Sequence, residues 1–133
     1  MTAPLAGKTI LMSGGSRGIG LAIALRAAAD GANVALLAKT DTPDPRLPGT
    51  IHTAAEQIRA AGGNALAIVG DVRNDDDITE AVMKTQGEFG GIDIVVNNAS
   101  VLSLAGSLDL DAKRYDLMQD VNVRGTFMLS RAA

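Results

Sequence analysis

The sequence contains no cysteine and no tryptophan, and aromatic residues make up only 2% of its 133 residues. Without cysteine the chain has no disulfide scaffold, no thiolate zinc site and no cysteine nucleophile. So few aromatic side chains argue against nucleic-acid binding by base stacking. The net charge of −3 points the same way, because nucleic-acid binding needs a basic surface.

Long apolar runs are also absent. No apolar segment approaches the length of a membrane span. The first residues, MTAPLAGK, lack the charged region followed by an apolar region that marks a secretory signal. We therefore expect a cytoplasmic protein without a membrane or nucleic-acid partner. The single histidine, His52, has no partner motif, and we expect it at the surface rather than in catalysis.

What is present is apolar sequence in short, regularly spaced runs. Hydrophobic residues make up 47% of the chain, enough for one domain with a core, residues 1–133. Four strand-like runs are predicted at 9–12, 33–38, 65–69 and 92–96. Helix-like runs begin near residues 18, 51, 74 and 109. Strands that alternate with helices predict a parallel sheet with helices on both faces. A proline-rich segment at 40–49, TDTPDPRLPG, is predicted to be a loop insertion.

A glycine-rich loop, SGGSRGIG at 13–20, lies between the first strand and the first helix. Gly14 suits a sharp turn out of the strand, Gly18 lets an anion approach the backbone, and Gly20 allows close packing of the helix. The helix N-terminus would point its N–H groups at a phosphate. No Gly-Lys-Ser/Thr follows, so the loop is not a P-loop. The pattern predicts dinucleotide binding, and the alternative is an ordinary glycine turn.

Three further marks follow in order: Gly70-Asp71-Val72, Asn97-Asn98-Ala99-Ser100 and Val121-Asn122-Val123. With Gly14-xxx-Gly18-x-Gly20, they resemble the short-chain dehydrogenase/reductase family, and within it the hydroxysteroid dehydrogenase-like 2 branch. Ser13 stands where the family carries threonine, and Ser100 where it carries glycine. The resemblance implies a Rossmann-type doubly wound parallel sheet, of which this chain is the first half, with strand order 3-2-1-4.

The cofactor site is predicted from this loop and these marks. Its residues are Ser13, Gly14, Ser16, Arg17, Gly18, Ile19, Gly20, Lys39, Asp71, Val72, Asn98, Ala99 and Ser100. The resemblance implies that Asp71 contacts the adenine and that Asn122 belongs to the catalytic tetrad. Two plainer readings stay open: Asp71 as a loop aspartate, and Asn97 and Asn98 as partners of backbone groups. No metal site is predicted.

The charges near the end of the second strand favour NADP(H) over NAD(H). An acid at this position bonds the ribose of NAD and repels the 2′-phosphate of NADP. Lys39 stands there instead, and Arg17 in the glycine loop is expected at the same corner. Two cations suit the 2′-phosphate. The alternative is two solvated surface charges, and Asp41 and Asp44 nearby favour it.

The catalytic residues that the resemblance implies are mostly missing. The family uses a serine and a Tyr-x-x-x-Lys motif, but the only tyrosine, Tyr115, is followed four residues later by Gln119. We therefore predict that Tyr115 is a packing residue and that only Asn122 represents the tetrad. The last residues, 128–133, favour a helix without a stop signal. We expect the N-terminal half of a longer enzyme, with residues 94–96 on an exposed sheet edge.

Two functions follow from these observations. The first is an NADP(H)-dependent oxidoreductase that acts on a small-molecule alcohol or carbonyl, and forms a homo-oligomer in its full-length form. In that case this chain alone is expected to be inactive. The second is a non-enzymatic NADP-binding or sensing module, which the missing tyrosine and lysine favour.

Overall fold

The computed structural model describes residues 3–39 and 49–133. The predicted proline-rich loop at 40–49 lies outside these residues except for its last position. The strands are β1 Thr9–Ser13, β2 Asn33–Ala38, β3 Asn64–Val69 and β4 Ile94–Asn97. The helices are α1 Gly18–Ala29, α2 Ile51–Ala60, α3 Asp75–Phe89, α4 Ala112–Gln119 and α5 Thr126–Ala132. A π-helical segment, Asp120–Gly125, joins α4 to α5.

The four strands form one parallel sheet in the order β3-β2-β1-β4. Met12 of β1 lies beside Leu36 of β2 and Val96 of β4. The predicted Rossmann-type sheet and its strand order 3-2-1-4 are therefore confirmed. β4 forms an edge of this sheet, as predicted, and Ile94 is 36% exposed there.

The sheet separates two apolar clusters, because successive side chains of a strand point to opposite faces. Met12 and Leu36 belong to the cluster that α1 and α2 cover. Leu11 and Leu37 belong to the other cluster, to which α3 and α5 contribute. All four side chains are at most 1% exposed. Burial on both faces explains why these strands are continuous apolar runs.

Polar side chains link the amino ends of the strands in a row that we call the amino-end ladder. The Asn64 side-chain amide donates to Asn33 Oδ1 at 2.9 Å, and Asn33 Nδ2 donates to Thr9 Oγ1 at 3.3 Å. The Thr9 backbone N–H then donates to Asp93 Oδ2 at 2.9 Å. A slip by one residue would break these bonds and move apolar side chains to the wrong face, so the ladder supports the register.

Helix α1 begins differently from the three helices that follow it. A side-chain oxygen accepts a backbone N–H at the start of each of these three helices: that of Thr50 caps α2, that of Asn74 caps α3 and that of Asp111 caps α4. At the start of α1 the N-cap residue Arg17 makes no such bond, and the first turn holds no acidic residue. The N–H groups at this helix end therefore lack a side-chain acceptor, and an anion can bind them.

Three predictions need correction. β4 starts at Ile94 and not at residue 92, because Asp93 belongs to the amino-end ladder. The helix expected from Asp109 is capped by Asp111 instead, and is interrupted by the π-helical segment. Tyr115 is 52% exposed and does not pack in the core. Helix α4 buries none of its residues, because no element of the described chain covers its outer side.

None of the described helices is both long and apolar enough to cross a lipid bilayer.

Candidate functional site

A cleft of about 460 Å³ opens at the carboxyl ends of the strands, a volume usual for small-molecule sites, about 300–1,000 Å³. Four chain segments line it: the glycine loop, the end of β2, the turn after β3 and the turn after β4. Two apolar side chains, Leu117 and Val121, complete the lining. Parallel strands present their carboxyl ends at the same edge, and the order reverses beside β1, where such folds bind ligands.

The glycine loop packs tightly against the turn after β4. Gly14 has a φ of +76°, which favours glycine, and its N–H donates to the Leu37 carbonyl at 2.8 Å. A Cβ at Gly14 would lie 2.7 Å from Nδ2 of Asn98. A Cβ at Gly20 would lie 2.7 Å from Cα of Gly15 and would also meet the Asn98 side chain. Glycine is therefore required at both positions for the loop to keep this shape.

Two predicted site residues hold the turn after β4 from outside the cleft. Ser13 is buried, and its Oγ accepts the Ala99 backbone N–H at 3.1 Å. Asn122, in the π-helical segment, bonds both backbone groups of Val101: Oδ1 accepts the N–H at 2.9 Å, and Nδ2 donates to the carbonyl at 2.8 Å. Both residues thus position the turn instead of lining the cleft.

Two cations line the cleft where the glycine loop approaches the end of β2. Arg17 precedes the uncapped N-terminus of α1, and its Nη1 atom is buried with no hydrogen-bond partner among the described residues. Lys39 follows β2 directly, and its side chain is 66% exposed. A buried guanidinium nitrogen without an acceptor is costly, so an anionic ligand at this corner would be stabilising.

Asp71, in the turn after β3, is held by several donors. Arg73 donates from Nη2 at 2.7 Å and from Nε at 3.1 Å to Oδ2, and its backbone N–H donates to Oδ1 at 2.9 Å. The Lys39 ammonium lies 3.8 Å from Oδ2. The Arg73 side-chain hydrogen bond lowers the pKa of Asp71, although partial burial opposes this shift. The carboxylate is therefore ionised at neutral pH.

The structure brings most of the predicted site residues together. Those that line the cleft are Gly14, Ser16, Arg17, Ile19, Lys39, Asp71, Val72, Asn98, Ala99 and Ser100. Those that do not line it are Ser13, Gly18, Gly20 and Asn122. Lining residues that the sequence did not predict are Gly15, Leu37, Ala38, Gly70, Arg73, Val101, Leu117 and Val121. Arg73 could have been predicted from the sequence, because it is a cation two residues after a strand-end aspartate. No sequence pattern indicated that the apolar residues line the cleft.

A glycine loop at the end of β1, in a sheet ordered β3-β2-β1-β4, defines a Rossmann-type nucleotide-binding domain. The family model for short chain dehydrogenases matches residues 8–133, and the chain belongs to this family. Proteins of the family are oxidoreductases that use a nicotinamide cofactor and act on small molecules. The uncapped start of α1 and the buried Arg17 nitrogen fit such an anionic cofactor.

Several known proteins are similar to this chain. Hydroxysteroid dehydrogenase-like protein 2 from Bos taurus is 56% identical over 131 residues, which cover 98% of this chain and 31% of that protein. A short chain dehydrogenase structure from Mycobacterium thermoresistibile is 59% identical with a TM-score of 0.93, and the match covers 96% of this chain and 45% of that one. NADH-dependent reductase A1-R′, complexed with NAD, is 31% identical with a TM-score of 0.85, over 100% and 53% of the two chains.

The resemblance to the hydroxysteroid dehydrogenase-like 2 branch is thereby confirmed. The chain spans about a third of the length of the curated relatives and about half of the solved chains.

Proposed function

We propose that this chain is the cofactor-binding half of an NADP(H)-dependent oxidoreductase that acts on a small-molecule alcohol or carbonyl. One observation carries the choice of NADP(H): Arg17, with a buried nitrogen that has no acceptor among the described residues, lines the same cleft as Lys39. No carboxylate occupies the position directly after β2. When bound, the nicotinamide accepts or supplies the hydride.

The glycine loop and the start of α1 hold the pyrophosphate in this proposal. The backbone N–H groups of the first turn of α1 have no side-chain cap, and the positive end of the helix dipole favours an anion. Gly18 has a φ of +61°, and a Cβ there would meet no atom within 4 Å. Glycine at this position therefore serves the backbone conformation of the loop, which a residue with a Cβ adopts less readily.

Arg17 and Lys39 hold the 2′-phosphate. Lys39 lies 3.8 Å from the nearest Asp71 oxygen, beyond the roughly 2.7–3.2 Å of a hydrogen bond, so its ammonium can donate to a ligand. A phosphate that carries nearly two negative charges accepts strong hydrogen bonds from both side chains. NAD lacks this group and would leave the Arg17 nitrogen without an acceptor.

The remaining predicted residues take their places around the rest of the cofactor. Asp71 faces the adenine end of the cleft, and the turn at 98–100 lies toward the nicotinamide end. Asn122 supports that turn through Val101. Tyr115 has Gln119 four residues later, so no residue of this chain is proposed as the general acid. We expect no turnover from residues 1–133 alone.

Calorimetric titration of the chain with NADP⁺ and with NAD⁺ tests this proposal. Lys39→Ala and Arg17→Ala should each weaken NADP⁺ binding about tenfold, the loss of one charge-assisted hydrogen bond, and change NAD⁺ binding less than about twofold. Lys84→Ala is the matched control, because Lys84 pairs with Glu80 on α3 and does not line the cleft. Equal affinity for the two cofactors in the wild-type chain would overturn the choice of NADP(H).

The second candidate function is a non-enzymatic NADP-binding or sensing module. The observation that favours it is the absence of a Tyr-x-x-x-Lys motif from the sequence. Both candidates share the cofactor site, so the titration does not separate them. Hydride transfer separates them: the full-length protein should reduce NADP⁺ with a panel of small alcohols, whereas a sensing module should bind NADP⁺ without turnover.

Self-association of the full-length protein is also proposed. Val123 and Phe127 are 59% and 61% exposed on the π-helical segment and α5, an apolar surface that a second copy could cover. Sedimentation of the full-length protein should give a dimer or larger assembly, and a monomer at micromolar concentration would contradict the proposal.

A further inference from the structure

Arg73 has an ionic partner inside the proposed cofactor site, and that partner is itself close to Lys39. We propose that Arg73 is a positioning residue for cofactor selection: it holds the Asp71 carboxylate and thereby leaves the Lys39 ammonium available to the 2′-phosphate. The inference rests on the proposed function and explains how a cationic corner persists beside an ionised aspartate.

The contacts of Asp71 are divided unequally between the two cations. Arg73 donates to both carboxylate oxygens through its side chain, the shortest bond being 2.7 Å, and adds a backbone N–H bond of 2.9 Å. The Lys39 ammonium, at 3.8 Å, makes no hydrogen bond to the carboxylate. A planar guanidinium matches a carboxylate with two parallel donors, which an ammonium cannot do. Arg73 is therefore the stronger partner.

The backbone at Asp71 is held independently of Arg73. The Asp71 N–H donates to Oδ2 of Asp77 at 2.9 Å, and Asp77 is itself bonded to the cap residue Asn74 through its backbone N–H. Removal of the Arg73 side chain should therefore leave the Asp71 backbone in place, with the residue-73 N–H still bonded to Oδ1, and should free Oδ2, the oxygen 3.8 Å from the Lys39 ammonium. The nearest cation left to it among the described residues is Lys39. Lys39 would then be paired and less available to a phosphate.

A double-mutant comparison tests this mechanism with NADP⁺ and NAD⁺ as the probes. Arg73→Ala should reduce the preference for NADP⁺ over NAD⁺ by about fivefold to tenfold, on the scale of one hydrogen bond to a charged group. Adding Asp71→Asn should restore most of the preference, because no carboxylate remains to capture Lys39. If Arg73 bound the phosphate directly, the double variant would stay as weak as Arg73→Ala.

Two further variants separate position from net charge. Arg124→Ala removes the same charge from a comparable 2.7 Å ion pair with Asp75 outside the cleft, and should leave the cofactor preference unchanged. Arg73→Lys keeps the charge but not the two parallel donors, and should lose part of the preference. Full preference in Arg73→Ala, equal loss in Arg124→Ala, or no recovery in the double variant would each overturn the inference.

The cofactor preference of the wild-type chain tests the proposed function separately from this inference. A wild-type chain without preference for NADP⁺ would overturn the proposed function and this inference with it. A clear wild-type preference that Arg73→Ala leaves intact would overturn the inference alone. Circular dichroism of each variant establishes that it is folded, and Arg73→Gln replaces Arg73→Ala if the alanine variant is not, with the same expected loss and recovery.

Discussion

Replacement of Gly20 by alanine should destabilise the protein, although alanine is the better helix former. Gly20 is the third residue of α1, and an added Cβ would lie 2.7 Å from the backbone Cα of Gly15. The same Cβ would meet the Asn98 side-chain amide. Alanine gains at most about 1 kcal/mol of helix propensity over glycine. Forcing extra volume into a packed site costs about 1–3 kcal/mol. We expect a net loss of about 1 kcal/mol.

Gly87→Ala is the matched control, because it makes the same change inside α3 without a steric conflict. A Cβ at Gly87 would meet nothing within 4 Å, and its backbone is helical. It should therefore stabilise the protein by up to about 1 kcal/mol. The two variants should differ by about 2 kcal/mol, which corresponds to roughly 6–10 °C in melting temperature for a chain of this size.

Thermal unfolding followed by circular dichroism measures both variants. A partial recovery is expected when Asn98→Ala is added to Gly20→Ala, because the side-chain conflict disappears and the conflict with Gly15 remains. Equal stability of Gly20→Ala and Gly87→Ala would contradict the steric conflict at Gly20. That result would mean that the glycine loop relaxes without cost and that its shape does not depend on Gly20.

Two more predictions concern the turns beside the cleft. Asn122→Ala removes two hydrogen bonds to Val101 and should cost about 1–2 kcal/mol in urea unfolding, whereas Asn97→Ala loses one bond to Ser130 and should cost about half as much; all three bonds are exposed, and equal costs would contradict this. The pKa of Asp71 is lower in the folded chain, so its stabilising contribution is full above the unfolded value of about 3.9 and is lost as the pH falls through the folded value. The stability difference between wild type and Asp71→Asn should therefore shrink between pH 6 and pH 2, and a constant difference would contradict the ion pair.

The sheet could be predicted from sequence because its strands are buried on both faces. A strand of that kind is a short, continuous apolar run such as 33–38, and its limits are visible without a structure. The start of β4 was predicted two residues early because Ile92 and Asp93 continue the pattern in the sequence. Asp93 instead accepts the Thr9 N–H, a partner 84 residues away that no local pattern can indicate.

The candidate site also contains residues that the sequence predicts and residues whose roles it does not predict. The glycine loop is a local signal, because turn shape and approach to the backbone depend on adjacent residues. The roles of Ser13 and Asn122 depend on the turn after β4, since Ser13 bonds Ala99 across 86 residues. Tyr115 shows a further limit: a sequence indicates an apolar side chain but not whether another element covers it.

The π-helical segment determines how α4 and α5 are rotated relative to each other. The backbone hydrogen bonds of such a segment span five residues instead of the four of an α-helix, and one residue corresponds to about 100° of rotation in an α-helix. The extra residue lets Asn122 reach Val101 while Leu129, seven residues later, stays fully buried. Deletion of one residue here would allow an unbroken α-helix in which only one of these two side chains could keep its place. A single inserted residue thus allows Asn122 to hold the turn beside the cleft and α5 to pack against the sheet at the same time.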